Sequence, residues 1–326
     1  MIISRTPLRI SLMGGGSDLP AYYEQGRPGA VVNTTITKYI FITVNRAFDE
    51  RIRASYSRTE IVDDVEKVAH PLIRQAMKLT GVVRGVEITS IADIPSRGTG
   101  LGSSSAYLVG LLHALWAYQG VFRSAKRLAE EACRIELDLL GEPIGKQDQY
   151  IAAHGGLQHI RFNPDGSVFV DPVICTRETK RAVEQRLMLF YTGVTRSASE
   201  ILARQGEETP SKLDAVAEMV TMTDEVDAVL REGRNLDRVG ELLHRGWSIK
   251  RGLSQGITSS EIDALYEAAR RAGALGGKIT GAGGGGFLLL WVEPQNQDRV
   301  REALSGLREL PLGLEPQGSK IIYIEE

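Results

Sequence analysis

"RGTGLGSSSAYLVGLLHALW", residues 97–116, opens on three alternating glycines, passes through three serines and ends in an apolar run. A glycine-rich turn that feeds a helix is a phosphate-binding arrangement. Glycines let the backbone come close to a ligand and turn its N–H groups inward. The helix N-terminus adds free N–H groups and roughly half a positive charge. Leu108, Leu111, Leu112 and Leu115 recur at helical core spacing, and Gly120 ends the helix. Gly98, Gly100 and Gly102 therefore form the turn, with Ser103, Ser104 and Ser105 at the helix start. There a hydroxyl caps the helix, donates to phosphate or ligates Mg²⁺. A capped helix after a flexible turn is the plain alternative. No lysine follows the glycines as in a P-loop, so another group must replace it.

Upstream, Leu8, Ile10 and Leu12 alternate with Arg9 and Ser11, which predicts a half-buried strand with the arginine on its polar face. The strand runs into Gly14-Gly15-Gly16. "ITKYIFITV" (36–44) and "GVEITSI" (85–91) predict further strands, and 65–79 has helical spacing. Past the opening stretch a helix is expected over 124–140, then the polar loop "GEPIGKQDQYIAAHGG" (141–156) with a short helical turn. A strand near 157–162 meets the turn signal "NPDG" (163–166). Charge replaces the apolar pattern at "TRETKRAVEQR" (176–186), and the domain boundary is placed there, dividing 1–180 from 181–326. The second half reads as a strand at "RLMLFYTG", helical stretches between about 196 and 272, "GGKITGAGGGGFLLLWV" (276–292), a helix near 296–307 and the strand "SKIIYIEE" (319–326). This irregular alternation predicts two α+β domains, not a doubly wound sheet.

A length of 326 residues fits two domains, and 25% charged with 42% hydrophobic residues is an ordinary globular balance. The net charge of −2 argues against a nucleic-acid partner, although Arg5 to Arg9 form a local basic cluster able to meet an anion. Cys133 and Cys175 form no disulfide framework, which suits a reducing cytoplasm. His154 and His159 read as loop and strand residues, not as metal ligands. "MIISRTPLRI" lacks the continuous apolar core of a signal peptide, and every apolar run is too short for a bilayer, so no membrane role is expected. A homodimer is compatible with this composition.

Other nucleotide motifs fail on context. Gly281, Gly283 and Gly286 spell G-x-G-x-x-G, but "FLLLWV", a strand, follows where a dinucleotide site needs a helix. Walker A, protein-kinase catalytic-loop and D-F-G motifs are absent.

"PSRGTGLGSSSA" (95–106) resembles the second motif of the GHMP kinases, the group of galactokinase, homoserine kinase, mevalonate kinase and phosphomevalonate kinase. "TPLRISLMGGGSDLP" (6–20) is similar to their first motif and "KITGAGGGGF" (278–287) to their last, in family order and at family spacing. Within the family, "GGGSD", "GKQDQYIAAHGG" and "YTGVTRSASEIL" look most like the D-glycero-D-manno-heptose 7-phosphate kinases. The resemblance covers essentially the whole chain. It implies a two-domain α+β fold, an N-terminal domain like ribosomal protein S5 domain 2 and a ferredoxin-like C-terminal domain, with ATP and sugar between them.

It also implies roles for individual residues. Arg97, Gly98, Gly100, Leu101, Gly102, Ser103, Ser104 and Ser105 would bind the phosphates of ATP. Ser104 and Glu136 would hold Mg²⁺, with Asp138 as a rival carboxylate and an ion pair to Arg134 or Lys146 as the plainer fate of Glu136. Asp148 would sit beside the accepting hydroxyl, as base or as orienting group, although a helix N-cap suits it equally by sequence. Arg9 would stabilise developing charge. Gly15, Gly16, Ser17 and Asp18 would contact the sugar, Asp18 as a carboxylate clamp on vicinal hydroxyls. Galactokinase carries Glu-His where this chain has Gly15-Gly16, which argues for a bulkier or phosphorylated sugar. Arg196 is the first choice for a distal phosphate, with Lys146, Arg97 and Lys38 as rivals. Gly281 and Gly283 would close over the phosphates, or else serve close backbone packing. Tyr39 and Trp116 read as core aromatics. The expected activity is ATP- and Mg²⁺-dependent phosphorylation of the anomeric hydroxyl of a heptose 7-phosphate, for surface polysaccharide. A fucose- or galactose-type kinase, a non-catalytic sugar and ATP sensor, and an RNA-binding module are the rivals.

Overall fold

A computed structural model describes residues 1–94, 98–194 and 198–325. The first half runs β1 (Ile2–Gly14), α1 (Pro20–Tyr23), β2 (Gly29–Arg46), β3 (Ile52–Ser55), β4 (Thr59–Val62), α2 (Pro71–Thr80), β5 (Val86–Ala92), α3 (Ser103–Tyr118), α4 (Ala125–Cys133), α5 (Gln147–His154), β6 (Leu157–Phe162) and β7 (Val168–Pro172). The second half runs α6 (Arg177–Arg186), β8 (Leu187–Tyr191), α7 (Ala198–Glu208), α8 (Leu213–Glu232), α9 (Asp237–Lys250), α10 (Ser260–Ala272), β9 (Ala274–Ile279), β10 (Phe287–Val292), α11 (Gln297–Ala303), β11 (Arg308–Glu309) and β12 (Lys320–Ile324).

Among the described residues the strands form two sheets, in the orders β12-β1-β2-β5-β3-β4 and β11-β8-β10-β9, with β6 and β7 branching from β2. The long β2 pairs with β1 along its length, with β6 through Gly29–Thr34 and with β5 through Ile40–Arg46. One strand thus carries the branch point of the sheet. Helix α3 is apolar nearly all round, and such a helix belongs inside. It packs on β1 and β2 and is flanked by α2, α4 and α5. Gly110 lets it approach the strand, since a Cβ there would lie 2.6 Å from the Thr6 hydroxyl. Leu8, Ile10 and Leu12 are fully buried in the core.

Several expectations need correction. Strand β1 is buried on both faces, because α8 and α9 pack against it and Arg9 and Ser11 are enclosed. The helix expected over 65–79 is split: a 3₁₀ turn at Val65–Lys67 stops, and α2 starts at Pro71. Proline lacks an N–H and restricts the residue before it, so it opens a helix instead of continuing one. The helix expected over 124–140 changes at Arg134 into a π-helical turn, Arg134–Leu139. The strand expected at the end of the second half, β12, lies at the edge of the first sheet beside β1. Tyr39 and Trp116 are only half-buried, each tied by its polar atom to a carboxylate, Glu315 and Glu131. Cys133 is buried. Among the described residues no helix is long and apolar enough to cross a membrane.

Candidate active site

The opening glycine turn adopts the conformation that only glycine takes without strain. Gly98, Gly100 and Gly102 all have φ near +70°. Gly102 is the N-cap of α3 and no side chain caps the helix, so the first-turn N–H groups stay available for an anion. Leu101 is buried beneath the turn, and its carbonyl accepts the Arg9 N–H at 3.1 Å. The plain reading of a side-chain-capped helix therefore does not hold. Arg97 lies outside the described residues.

The serines separate by position. Ser103 is buried and lies 3.4 Å from the Thr99 hydroxyl. Ser104, exposed, donates to Glu136 at 3.1 Å, and Ser105, buried, donates to its other oxygen at 2.8 Å. Gln149 adds a third bond, 2.6 Å, from its Nε2. Glu136 stands on the π-helical turn, which aims it inward, whereas Asp138 is exposed. Burial pushes the Glu136 carboxyl up to about 7, against the pull of those three donors. Among the described residues it has no cationic partner within 4.0 Å, so the alternative fate, an ion pair with Arg134 or Lys146, is not formed. A buried carboxylate without a countercharge, beside a solvent-facing hydroxyl, fits a hard cation that keeps much of its water. No cluster of three or more acidic, His or Cys side chains forms a closed metal cage among the described residues.

Arg9 and Asp148 meet side by side. Nε donates to Oδ1 and Nη2 to Oδ2, both at 2.7 Å, and Nη1 donates to the Gly100 carbonyl at 2.6 Å. One buried guanidinium thus joins the carboxylate to the glycine turn. A Cβ at Gly102 would stand 3.2 Å from Asp148 Oδ2, so glycine leaves the carboxylate open to the start of α3. Asp148 lies in the first turn of α5, but Lys146 holds the N-cap position. The capping role is ruled out by where the carboxylate points.

The first glycine run is filled, not open. Asp18 is buried and accepts from the Gly16 N–H and from the Gln147 N–H and side chain. Burial, reinforced by Asp148, raises its carboxyl above the usual range. Ser17 is spent on both the N–H and the carbonyl of Ala30. A Cβ at Gly16 would fall 2.4 Å from Gln205 Nε2, and one at Gly15 would fall 3.8 Å from Lys250 Nζ. The space gained by losing Glu-His is therefore occupied by Gln205 and Lys250 from the second half.

The third glycine run packs directly on the second. A Cβ at Gly100 would lie 2.4 Å from the Thr280 carbonyl, one at Gly281 2.7 Å from Gly100 Cα, and one at Gly286 2.6 Å from the Thr99 carbonyl. A Cβ at Gly283 would strike the Ile257 carbonyl at 2.7 Å. Close backbone packing thus accounts for these glycines. Lys250, at the end of α9, donates to the Gly281 carbonyl at 2.6 Å, and Lys278 on β9 donates to Ser11 at 3.2 Å. Burial lowers both lysines, Lys250 to about 8. Arg196 lies outside the described residues. Of its rivals, Lys146 is committed to the Gly166 carbonyl and the Tyr23 ring, and Lys38 sits half-buried on β2.

Lys250, Lys278 and Gln205 were not among the expected site residues. One signal exists for Lys250: Val239, Leu242, Leu243, Gly246 and Trp247 form the apolar stripe of α9, and Lys250 continues it at helical spacing.

Two family models match the chain, "GHMP kinases N terminal domain" over residues 64–156 and "GHMP kinases C terminal" over 226–307. A D-glycero-alpha-D-manno-heptose 7-phosphate kinase of Campylobacter jejuni is 28% identical over 318 residues, 93% of each chain. A mevalonate kinase of Thermococcus gammatolerans is also 28% identical, over 93% of this chain and 92% of its own. The crystal structure of a D-glycero-D-manno-heptose 1-phosphate kinase from Bacteroides thetaiotaomicron matches the whole of both chains with a TM-score of 0.83 at 24% identity. Galactokinase of Lactococcus lactis, solved with galactose, matches 98% of this chain and 94% of its own with a TM-score of 0.74 at 20% identity. At those identities the structures speak for the fold.

Proposed function

The chain belongs to the GHMP kinases, phosphotransferases acting on a sugar or another alcohol, and we propose that its acceptor is D-glycero-D-manno-heptose 7-phosphate. The product is the 1,7-bisphosphate, made from ATP with Mg²⁺ in the cytoplasm as a precursor of nucleotide-activated heptose for surface polysaccharide. ATP and sugar lie between segments 1–180 and 181–326. The observation that carries phosphoryl transfer is the placement of the Arg9–Asp148 pair beside the uncapped start of α3. Support for the heptose comes from the Campylobacter relative, from the motifs quoted above and from the lack of acidic or histidine side chains at Gly15-Gly16.

Each residue then has work suited to its position. The turn Gly98–Ser105 holds the ATP phosphates with backbone N–H groups. Ser104 and Glu136 hold Mg²⁺, which when bound neutralises charge on the phosphate oxygens. Arg9 uses one lone pair on each Asp148 oxygen and leaves the others free to accept the C1 hydroxyl. As the O1–Pγ bond forms and the bond from Pγ to the bridging oxygen breaks, the electron pair leaves on ADP and Asp148 receives the hydroxyl proton. Asp18 orders Gly16 and Gln147 around the sugar.

A panel of acceptors with MgATP tests the reading: heptose 7-phosphate, the same heptose without phosphate, fucose, galactose and mevalonate, with phosphorus NMR of the product. Heptose 7-phosphate should give the highest kcat/KM and an anomeric phosphate signal. Turnover of only unphosphorylated acceptors would overturn it.

A further inference from the structure

We propose that Lys250 is the phosphate-facing cation of this site: delivered by α9 and not by the glycine turn, its ammonium binds the phosphoryl group during transfer. The placement rests on three contacts. Nζ donates to the Gly281 carbonyl, Gly281 stands against Gly100, and Gly100 accepts from Arg9, which holds Asp148. On its other side Nζ faces Gly15, 3.8 Å from where a Cβ would stand, so no side chain at that position separates the buried ammonium from the first glycine run. It is thus flanked by the first and third glycine runs, next to the pair that positions the acceptor.

The ammonium has three N–H donors, and the Gly281 carbonyl takes one. Among the described residues no carboxylate lies within 4.0 Å of it, although the charges facing it from β1, α5 and the first glycine run are Arg9, Asp148 and Asp18. A buried cation with unspent donors and no ion pair is costly unless an anion completes it. Lys278 does not compete for the role. It is turned to Ser11 on β1, and burial together with the nearby Lys250 charge lowers its ammonium below the usual lysine range. The ATP γ-phosphoryl carries three non-bridging oxygens, and its charge must be held as the O1–P bond forms and the bond to ADP breaks. Lys250 donates hydrogen bonds to those oxygens and transfers no proton. The inference rests on phosphoryl transfer and not on which sugar accepts.

The test compares Lys250→Met, Lys250→Gln and Lys250→Arg on the sugar that the parent enzyme turns over best. Calorimetry follows ADP and Mg²⁺ with and without aluminium fluoride, a planar mimic of the phosphoryl in flight. The Met and Gln variants should lose kcat about 100-fold, the scale of one oxyanion donor, with both KM values within about threefold. The extra affinity that aluminium fluoride gives the parent should vanish in both, while ADP affinity stays, and Arg should recover part of each loss. Near-parental kcat in Lys250→Gln, which keeps a donor for Gly281, would reduce the lysine to a neutral tether and overturn the proposal. A raised sugar KM with intact kcat would overturn it in favour of a contact to the distal end of the acceptor. A different preferred sugar would refute the heptose assignment and leave this comparison standing.

Discussion

Arg9 and Asp148 are 139 residues apart in sequence yet joined by two parallel hydrogen bonds of 2.7 Å, and the same guanidinium fixes the Gly100 carbonyl at 2.6 Å. The Asp148 carboxylate and the glycine turn are therefore held by one side chain. Replacing it disturbs both.

Asp148→Asn keeps the shape but turns one acceptor oxygen into a donor that faces Arg9. It should lower kcat at least 100-fold while ATP affinity, measured by calorimetry, changes less than about threefold. Activity within a few-fold of the parent would remove Asp148 from the transfer step. Arg9→Lys keeps charge without the two-pronged geometry and should also fall about 100-fold in kcat, with a raised KM for ATP because the Gly100 contact goes with it.

Ser104 and Ser105 bind opposite oxygens of Glu136, but only Ser104 is exposed. Ser104→Ala should raise the Mg²⁺ concentration needed for half-maximal rate several-fold with little loss of thermal stability. Ser105→Ala leaves a buried carboxylate oxygen short of a donor and should instead cost about 1–3 kcal/mol of stability by denaturant titration. The reverse pattern would exchange their roles.

Gly100→Ala tests the seam between the glycine runs. Its φ of +71° and the 2.4 Å approach to the Thr280 carbonyl both exclude a methyl group. Denaturant titration should show a loss of about 1–3 kcal/mol from the backbone conformation, and the KM for ATP should rise more than tenfold. Gly120→Ala, where nothing lies within 4 Å at a similar φ, isolates the conformational part.

His113 gives the fold an acid limit. Burial lowers it from 6.5 to about 4 in the folded chain, and its Nδ1 meets the Ser319 hydroxyl at 3.0 Å. The unfolded chain binds the proton first, so stability from this group is present above pH 6.5 and drains away as pH falls toward 4. Urea midpoints at pH 7 and pH 5 should differ more for the parent than for His113→Gln. Equal differences would show that His113 does not titrate in this way.

Much of the site is legible in the sequence because its chemistry is packed into short motifs. Three glycine runs flag close backbone approach wherever they fall, and Arg9 and Asp148 each sit in one continuous signature. Their pairing is not legible, since nothing in either segment specifies a contact across 139 residues. The enclosure of β1 is also hidden: alternation reports that one face is apolar, not that helices from the second half cover the other. Gln205 and Lys250 fill the gap at Gly15-Gly16 from helices whose patterns say only amphipathic. A lysine continuing the apolar stripe of α9 is the one irregularity that marks it.

The pairing of β1 with β12 has a kinetic side. Ile2 and Ile3 find their outer-edge partners only at Ile324 and Tyr323. During synthesis at about 5–20 residues per second, that edge waits roughly 15–60 s with its backbone donors and acceptors unpaired. An unpaired edge is a template for another nascent chain. Variants that weaken β12, such as Ile321→Pro, should therefore lower the soluble yield on fast expression more than they lower the activity of the protein that does fold.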